Sequence, residues 1–237
     1  KDNWENSFSL FGNYLNLGNE GNDHGACFCV VGFNHIEAYG GGNKDLSAGN
    51  VLGVNLIFYS DASGNHAEWV IMRTFTAIGA NVMISHGARN TVMSGIGIGG
   101  ANYAEVCGGN SDITLIMVIG DNSAHVFGDG NAIITSINFI GVNELLKVGS
   151  GNNIMTAFNT NGLNVLTHIG NGSNIMNGLN FNGVNLLISI GQGLNVMNAF
   201  NNFGLNSLFR VGDGYNFMLT VTMLGANVLT RLGSGLN

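Results

Sequence analysis

Aligned at a spacing of 21 residues, the C-terminal part of the chain stacks Met155, Met176, Met197 and Met218 in one column. Leu166, Leu187, Leu208 and Leu229 form another, and Asn153, Asn174, Asn195 and Asn216 stand two residues before each Met. Apolar positions recurring with period two predict short β-strands, and these columns are expected to point inward. The copies run FGDGNAIITSINFIGVNELLK (127–147), VGSGNNIMTAFNTNGLNVLTH (148–168), IGNGSNIMNGLNFNGVNLLIS (169–189), IGQGLNVMNAFNNFGLNSLFR (190–210) and VGDGYNFMLTVTMLGANVLTR (211–231). The stub LGSGLN (232–237) follows.

A recurrent Gly-x-Asn extends the repeat upstream through Gly32, Gly53, Gly79, Gly100, Gly120, Gly141, Gly162, Gly183, Gly204 and Gly225, in steps of 21, 26, 21, 20 and then 21 throughout. The long step contains DASGNHAEW (61–69), which reads as a loop insertion. Residues 1–16 read as a degenerate first coil or cap. Within each copy a half-repeat is visible, since the Gly172, Asn174 pair is echoed by Gly183, Asn185 eleven residues on. A unit of about ten residues holds one short strand and one tight turn. The prediction is an all-β fold: a β-solenoid of about ten 21-residue coils, with two short strands and two Gly-x-Asn turns per coil, forming a single domain.

This architecture accounts for the composition. Gly is 38 of 237 residues and Pro is absent, while only 9% of residues are charged. Gly at Gly151, Gly162, Gly172, Gly183, Gly193 and Gly204 permits the corner conformation and close approach between coils. The following Asn153, Asn164, Asn174, Asn185, Asn195 and Asn206 can satisfy turn backbone groups and bond to identical residues in stacked coils. Proline would remove ladder donors.

One feature does not fit a simple two-layer solenoid. Between the inward columns lie Ile154, Ile175 and Val196, and farther on Phe158, Leu179 and Phe200, which by alternation face out. Either a bulge returns some of them to the core, or they form an exposed apolar ribbon for a membrane, a partner chain or another copy.

The net charge is −7, and the seven Lys and Arg residues are spread thinly, so no basic stripe suits nucleic acid. No apolar run reaches the length of a membrane helix. The chain opens at Lys1 without an initiator Met and reads as a piece of a longer protein. Cys27, Cys29 and Cys107 give no disulfide framework. His24, Cys27 and Cys29 match no standard zinc spacing. His35, His66, His86, His125 and His168 are expected to share no column with an acid or nucleophile and to act as turn or surface residues. IGIGGAN (96–102) lacks the Lys-Ser/Thr of a phosphate loop and reads as repeat corners. Acidic residues are too dispersed for a carboxylate pair. No catalytic residue, metal ligand or cofactor is expected. Ice binding is disfavoured because the column Thr156, Asn177, Asn198, Leu219 is irregular.

IGNGSNIMN resembles the calcium-binding nonapeptide of repeats-in-toxin proteins, but Asn174, Asn195 and Asn216 replace the aspartate that calcium needs. Asp129 and Asp213 occur singly between glycines. The unit more closely resembles the N-terminal glycine-rich repeats of the multifunctional autoprocessing repeats-in-toxin (MARTX) toxins, which carry an Ile/Val-Gly-x-Gly core. That core stands here as HIGNGSN (168–174), SIGQGLN (189–195), RVGDGYN (210–216) and RLGSGLN (231–237). The resemblance covers 127–237 well and 21–126 more loosely. It implies a non-catalytic arm of a secreted bacterial toxin. Such an arm acts at the host-cell membrane or surface in attachment, pore formation and delivery of effector domains. A rigid spacer or adhesin solenoid without membrane action is the alternative, and self-association is a further expectation.

Overall fold

The computed structural model describes residues 2–18, 21–61 and 66–236. Its elements are β1 (Asn3–Ser9), β2 (Gly12–Gly18), β3 (Asp23–Tyr39), β4 (Lys44–Ser60), β5 (Trp69–His86), β6 (Asn90–Cys107), β7 (Asn110–Phe127), β8 (Ala132–Val148), β9 (Asn153–Ile169), β10 (Asn174–Ile190), β11 (Asn195–Val211) and β12 (Asn216–Leu232). Strands pair in parallel in the order β1-β3-β4 and onward to β12, with β2 also pairing β3. β1 and β2 together make the first coil, and each later strand is a coil of its own. Eleven stacked coils at the parallel-strand spacing make a rod of about 50 Å. The core of the insertion, residues 62–65, and Lys1 lie outside the described residues, whereas Trp69 already belongs to β5.

Each coil after the first is one strand of 17 or 18 residues folded at its glycine corner, where two separate strands were expected. The reason is visible at Gly183. Its φ of +144° turns the chain while keeping it in register with Gly162 below and Gly204 above, so the ladder continues through the bend. A Cβ there would stand 1.9 Å from the Gly162 carbonyl oxygen, so no side chain fits. The ten corner glycines from Gly32 to Gly225 share this geometry, with φ between 128° and 149°. The second turn closes the coil through Gly-x-Gly, as at Gly170 and Gly172. It too is laddered, since Gly172 N donates to the Gln192 carbonyl at 3.0 Å. Side chains between these glycines help: Asp129, Asn171 and Asp213 each accept from the backbone N–H of the next coil's turn at 2.6–2.8 Å.

The bend gives every coil a first arm and a second arm facing each other across the core. In β9 the first arm sends Asn153, Met155, Ala157 and Asn159 inward, and the second sends Asn164, Leu166 and His168 to meet them. Met155, Met176 and Met197 pack with Leu166, Leu187 and Leu208, all fully buried. Burying each contributes about 1.5–3 kcal/mol.

Asparagine supplies the polar skeleton. Eleven residues from Asn13 to Asn227 stack beside the corner, joined by ten bonds from each Nδ2 to the Oδ1 of the next at 2.8–3.1 Å. Along the same row the second N–H crosses the core to a first-arm carbonyl of the coil above, as from Asn164 to Leu179 at 2.8 Å. A shorter row, Asn153, Asn174, Asn195 and Asn216, bonds in the same way at 2.8–3.2 Å. From Asn13 to Asn206 each amide of the long row thereby satisfies both of its donors while buried, which a hydroxyl could not do.

Candidate functional site

The first arm turns Ile154, Thr156 and Phe158 outward, and the same positions recur in every coil. Pairing is one-to-one from β8 to β12 across these positions, so no bulge returns them to the core. Ile154, Phe158, Ile175 and Phe200 are 40–42% exposed and Leu179 is 37% exposed, while Val196 is half-buried. These values hold although neighbours in the column already cover each flank. The Phe158 column can be followed along the whole rod: Phe8, Phe28, Gly49, Phe75, Ile96, Ile116, Ile137, Phe158, Leu179, Phe200, Val221. Only Gly49 interrupts it, opening a groove between Phe28 and Phe75.

The face divides into two stretches. Upstream, Asp45 pairs with Arg73 on the surface, and Asp112 lies in the same column. From Ile133 to Val221 the outward first-arm positions carry no charge at all. Five coils by five residues make this stretch about 19 Å by 17 Å. The corner edge widens it with Phe139, Ile140, Phe181, Phe203, Met223 and Leu224, all exposed. Between the Ile154 and Phe158 columns runs the row Thr135, Thr156, Asn177, Asn198 and Leu219, so the face is uncharged, with two apolar columns flanking a mostly polar one.

The second arm shows a different outer face. In its N-terminal and central coils it carries histidine–carboxylate pairs: His35 with Glu37 at 3.3 Å, His86 with Glu105 at 2.9 Å, and His125 with Glu144 at 3.9 Å. Tyr103 donates its hydroxyl to Glu105 Oε2. That bond, helped by His86, holds the Glu105 carboxyl below the usual range. Burial raises the Tyr103 hydroxyl, and the bond to Glu105 raises it further. Burial, with the Glu105 charge second, also raises the Cys107 thiol.

The expectation that the five histidines share no column with an acid or nucleophile is thus corrected. His86 is the register partner of Cys107, and Glu105 that of His125. The signal was present: His86 and Cys107 each lie seven residues after a corner glycine, Gly79 and Gly100. His168 is likewise no surface residue but fully buried. His24 and the Cys27, Cys29 pair do not converge, because alternation sends His24 out to stack on Trp4 and the cysteines in. Burial pushes the Cys27 thiol up to about 12.

Inside the rod, the column of His168 also holds Lys147, Ser189 and Arg210, all buried. Lys147 donates to the Gly128 carbonyl, and Arg210 to the Gly191 carbonyl at 2.6 Å and Asn216 Oδ1 at 2.8 Å. The carbonyls of the glycine turn thus replace the carboxylate that a buried cation usually has. Neither nitrogen of His168 reaches a hydrogen-bond partner. Burial first, then the Lys147 charge, lowers its pKa to about 4, and the nearby Gly149 carbonyl offsets only part of this. By contrast, the buried Lys44 in the N-terminal part has a carboxylate, Asp23.

The glycine and asparagine positions singled out from the sequence all lie at corners, turns and ladders, while Ile154, Phe158, Ile175, Leu179, Val196 and Phe200 share one outer face. The row Asn138, Asn159, Asn180 and Asn201 went unrecognised. Its Nδ2 groups donate to corner glycine carbonyls, as from Asn180 to Gly162 at 2.6 Å. No family model, curated protein or solved structure matches the chain.

Proposed function

We propose that the chain is a non-catalytic solenoid arm that lays the uncharged first-arm face of β8–β12 on a lipid membrane. The observation that carries this reading is the outward, unbulged Phe158 column, with the parallel Ile154 column beyond an uncharged Thr156, Asn177 row. Stacking constrains only the inward columns, so an apolar outer column repeated over so many coils calls for something that covers it. Lipid suits it because the patch is long, flat and free of charge. The resemblance of 127–237 to the repeat arms of MARTX toxins supports the same reading. On it, the arm belongs to a secreted protein acting at a host-cell membrane in attachment and delivery.

With a net charge of −7, the rod should prefer zwitterionic over anionic bilayers. Flotation of the whole chain with phosphatidylcholine vesicles tests this. The chain should float, and the Phe158→Asp/Phe200→Asp variant should stay at the bottom with unchanged circular dichroism. Failure to float with any lipid composition would leave the rigid spacer, which the unbroken Asn13–Asn227 ladder favours.

A further inference from the structure

The second-arm face holds one cluster that neither the fold nor the apolar patch requires. His86 Nε2, Glu105 Oε1 and Cys107 Sγ lie within 4.8 Å of one another. We propose that these three side chains form a binding site for a zinc-class divalent ion that ties β5 to β6.

Their convergence is dictated by the backbone. His86 and Cys107 are direct register partners on adjacent parallel strands, which places their Cα atoms about 4.8 Å apart. Glu105 precedes Cys107 by two residues and therefore shares its outward face. Glu105 Oε1 stands 2.9 Å from His86 Nε2 and 3.8 Å from Cys107 Sγ. Tetrahedral zinc, with bonds of about 2.0–2.3 Å, needs its donors about 3.3–3.6 Å apart. The two Glu105 distances lie within about 0.5 Å of that range, and rotation of the His86 and Cys107 side chains, at most 4.8 Å apart, would close the third.

The surroundings orient the donors. Tyr103 occupies Glu105 Oε2 and leaves Oε1 toward the other two groups. The ring of Phe58 packs edge-on against His86 at a centroid distance of 5.8 Å. The backbone beside the cluster is pinned by Gly87 N donating to the Cys107 carbonyl at 3.0 Å.

Donor chemistry selects the ion. Imidazole, carboxylate and thiolate together suit zinc, whereas calcium and magnesium take oxygen donors. A thiolate and a carboxylate neutralise the double charge. Three protein donors on a partly exposed face leave a fourth position for water or a partner's ligand. The rod supplies its own comparison sites, since His35–Glu37 and His125–Glu144 repeat the pairing without sulfur.

Titration of the intact chain with Co²⁺ tests the proposal. One equivalent should bind and give a thiolate-to-cobalt charge-transfer band, displaced by Zn²⁺. The band should vanish in Cys107→Ser and persist in His125→Ala. Tyr103→Phe should weaken binding by about tenfold. Should Cys107→Ser fail to fold, alkylation of the native chain gives an independent reading. Cys107 is the one thiol not buried, and Zn²⁺ should slow its modification. Absence of the band, its survival in a folded Cys107→Ser chain, or alkylation indifferent to Zn²⁺ would overturn the site.

Discussion

The two outer faces of the rod are built on the same coils, share one core and one asparagine ladder, and yet differ. On the first arm the Phe158 column is apolar in every coil but that of Gly49. On the second arm the matching positions pass from His35–Glu37 through the Tyr103, Glu105, Cys107 group to Val165, Leu186 and Phe209. Inward columns repeat because stacked neighbours must fit, and nothing in stacking imposes the same on the outside. The second arm shows that outer columns are free to vary. On the proposed reading, the constancy of the Phe158 column reflects the membrane it lies on.

The largest expected effect separates inside from outside on a single arm. Met176→Asp should cost roughly 3–5 kcal/mol in urea unfolding, since it buries an unpaired charge between Met155 and Met197. Leu179→Asp, three residues on and facing out, should cost under about 1 kcal/mol. Equal costs would mean that the two faces are misassigned.

Next comes the skeleton that both arms share. Asn185 donates to Asn206 and to the Phe200 carbonyl and accepts from Asn164, so Asn185→Leu should lose about 2–4 kcal/mol. The outward, half-buried Asn177, substituted by Ala, should lose no more than about 0.5 kcal/mol.

The pH dependence follows from His168. Its folded pKa of about 4 lies below the ordinary imidazole value of 6.5, so in that window the unfolded chain binds the extra proton. Stability contributed by the neutral ring is full above pH 6.5 and is lost as pH falls toward 4, by on the order of 3 kcal/mol. Unfolding midpoints measured across that range should drop, and His168→Leu should flatten the profile. The smallest effect belongs to the second-arm surface, where Glu144→Ala, opening the 3.9 Å contact with His125, should change stability by under about 0.5 kcal/mol.

Much of this was legible in the sequence because a solenoid writes its contacts as a period. Corner Gly183, ladder Asn185 and core Met176 can be named without coordinates, since each must match its neighbour 21 residues away. The outward direction of Ile175 and Leu179 followed from alternation alone, but the sequence left a bulge open. The polar cluster was hidden for a different reason. His86, Glu105 and Cys107 break the residue type of their columns, so no repetition announces them, and the alignment shows only on counting from the corner glycines Gly79, Gly100 and Gly120. The cation column was hidden likewise, because nothing in the spelling of Lys147, His168 and Arg210 says that turn carbonyls take the place of acids.

The most direct measurement of the central claim compares the two faces of one coil. In a chain carrying Trp4→Phe and Trp69→Phe, a single tryptophan is placed by Ile137→Trp on the first arm of β8 or by Glu144→Trp on its second. Fluorescence is read on vesicles of brominated phosphatidylcholine. The first-arm tryptophan should be quenched and the second-arm tryptophan should not. Equal quenching of both, or of neither, would contradict the assignment of the first-arm face to the membrane.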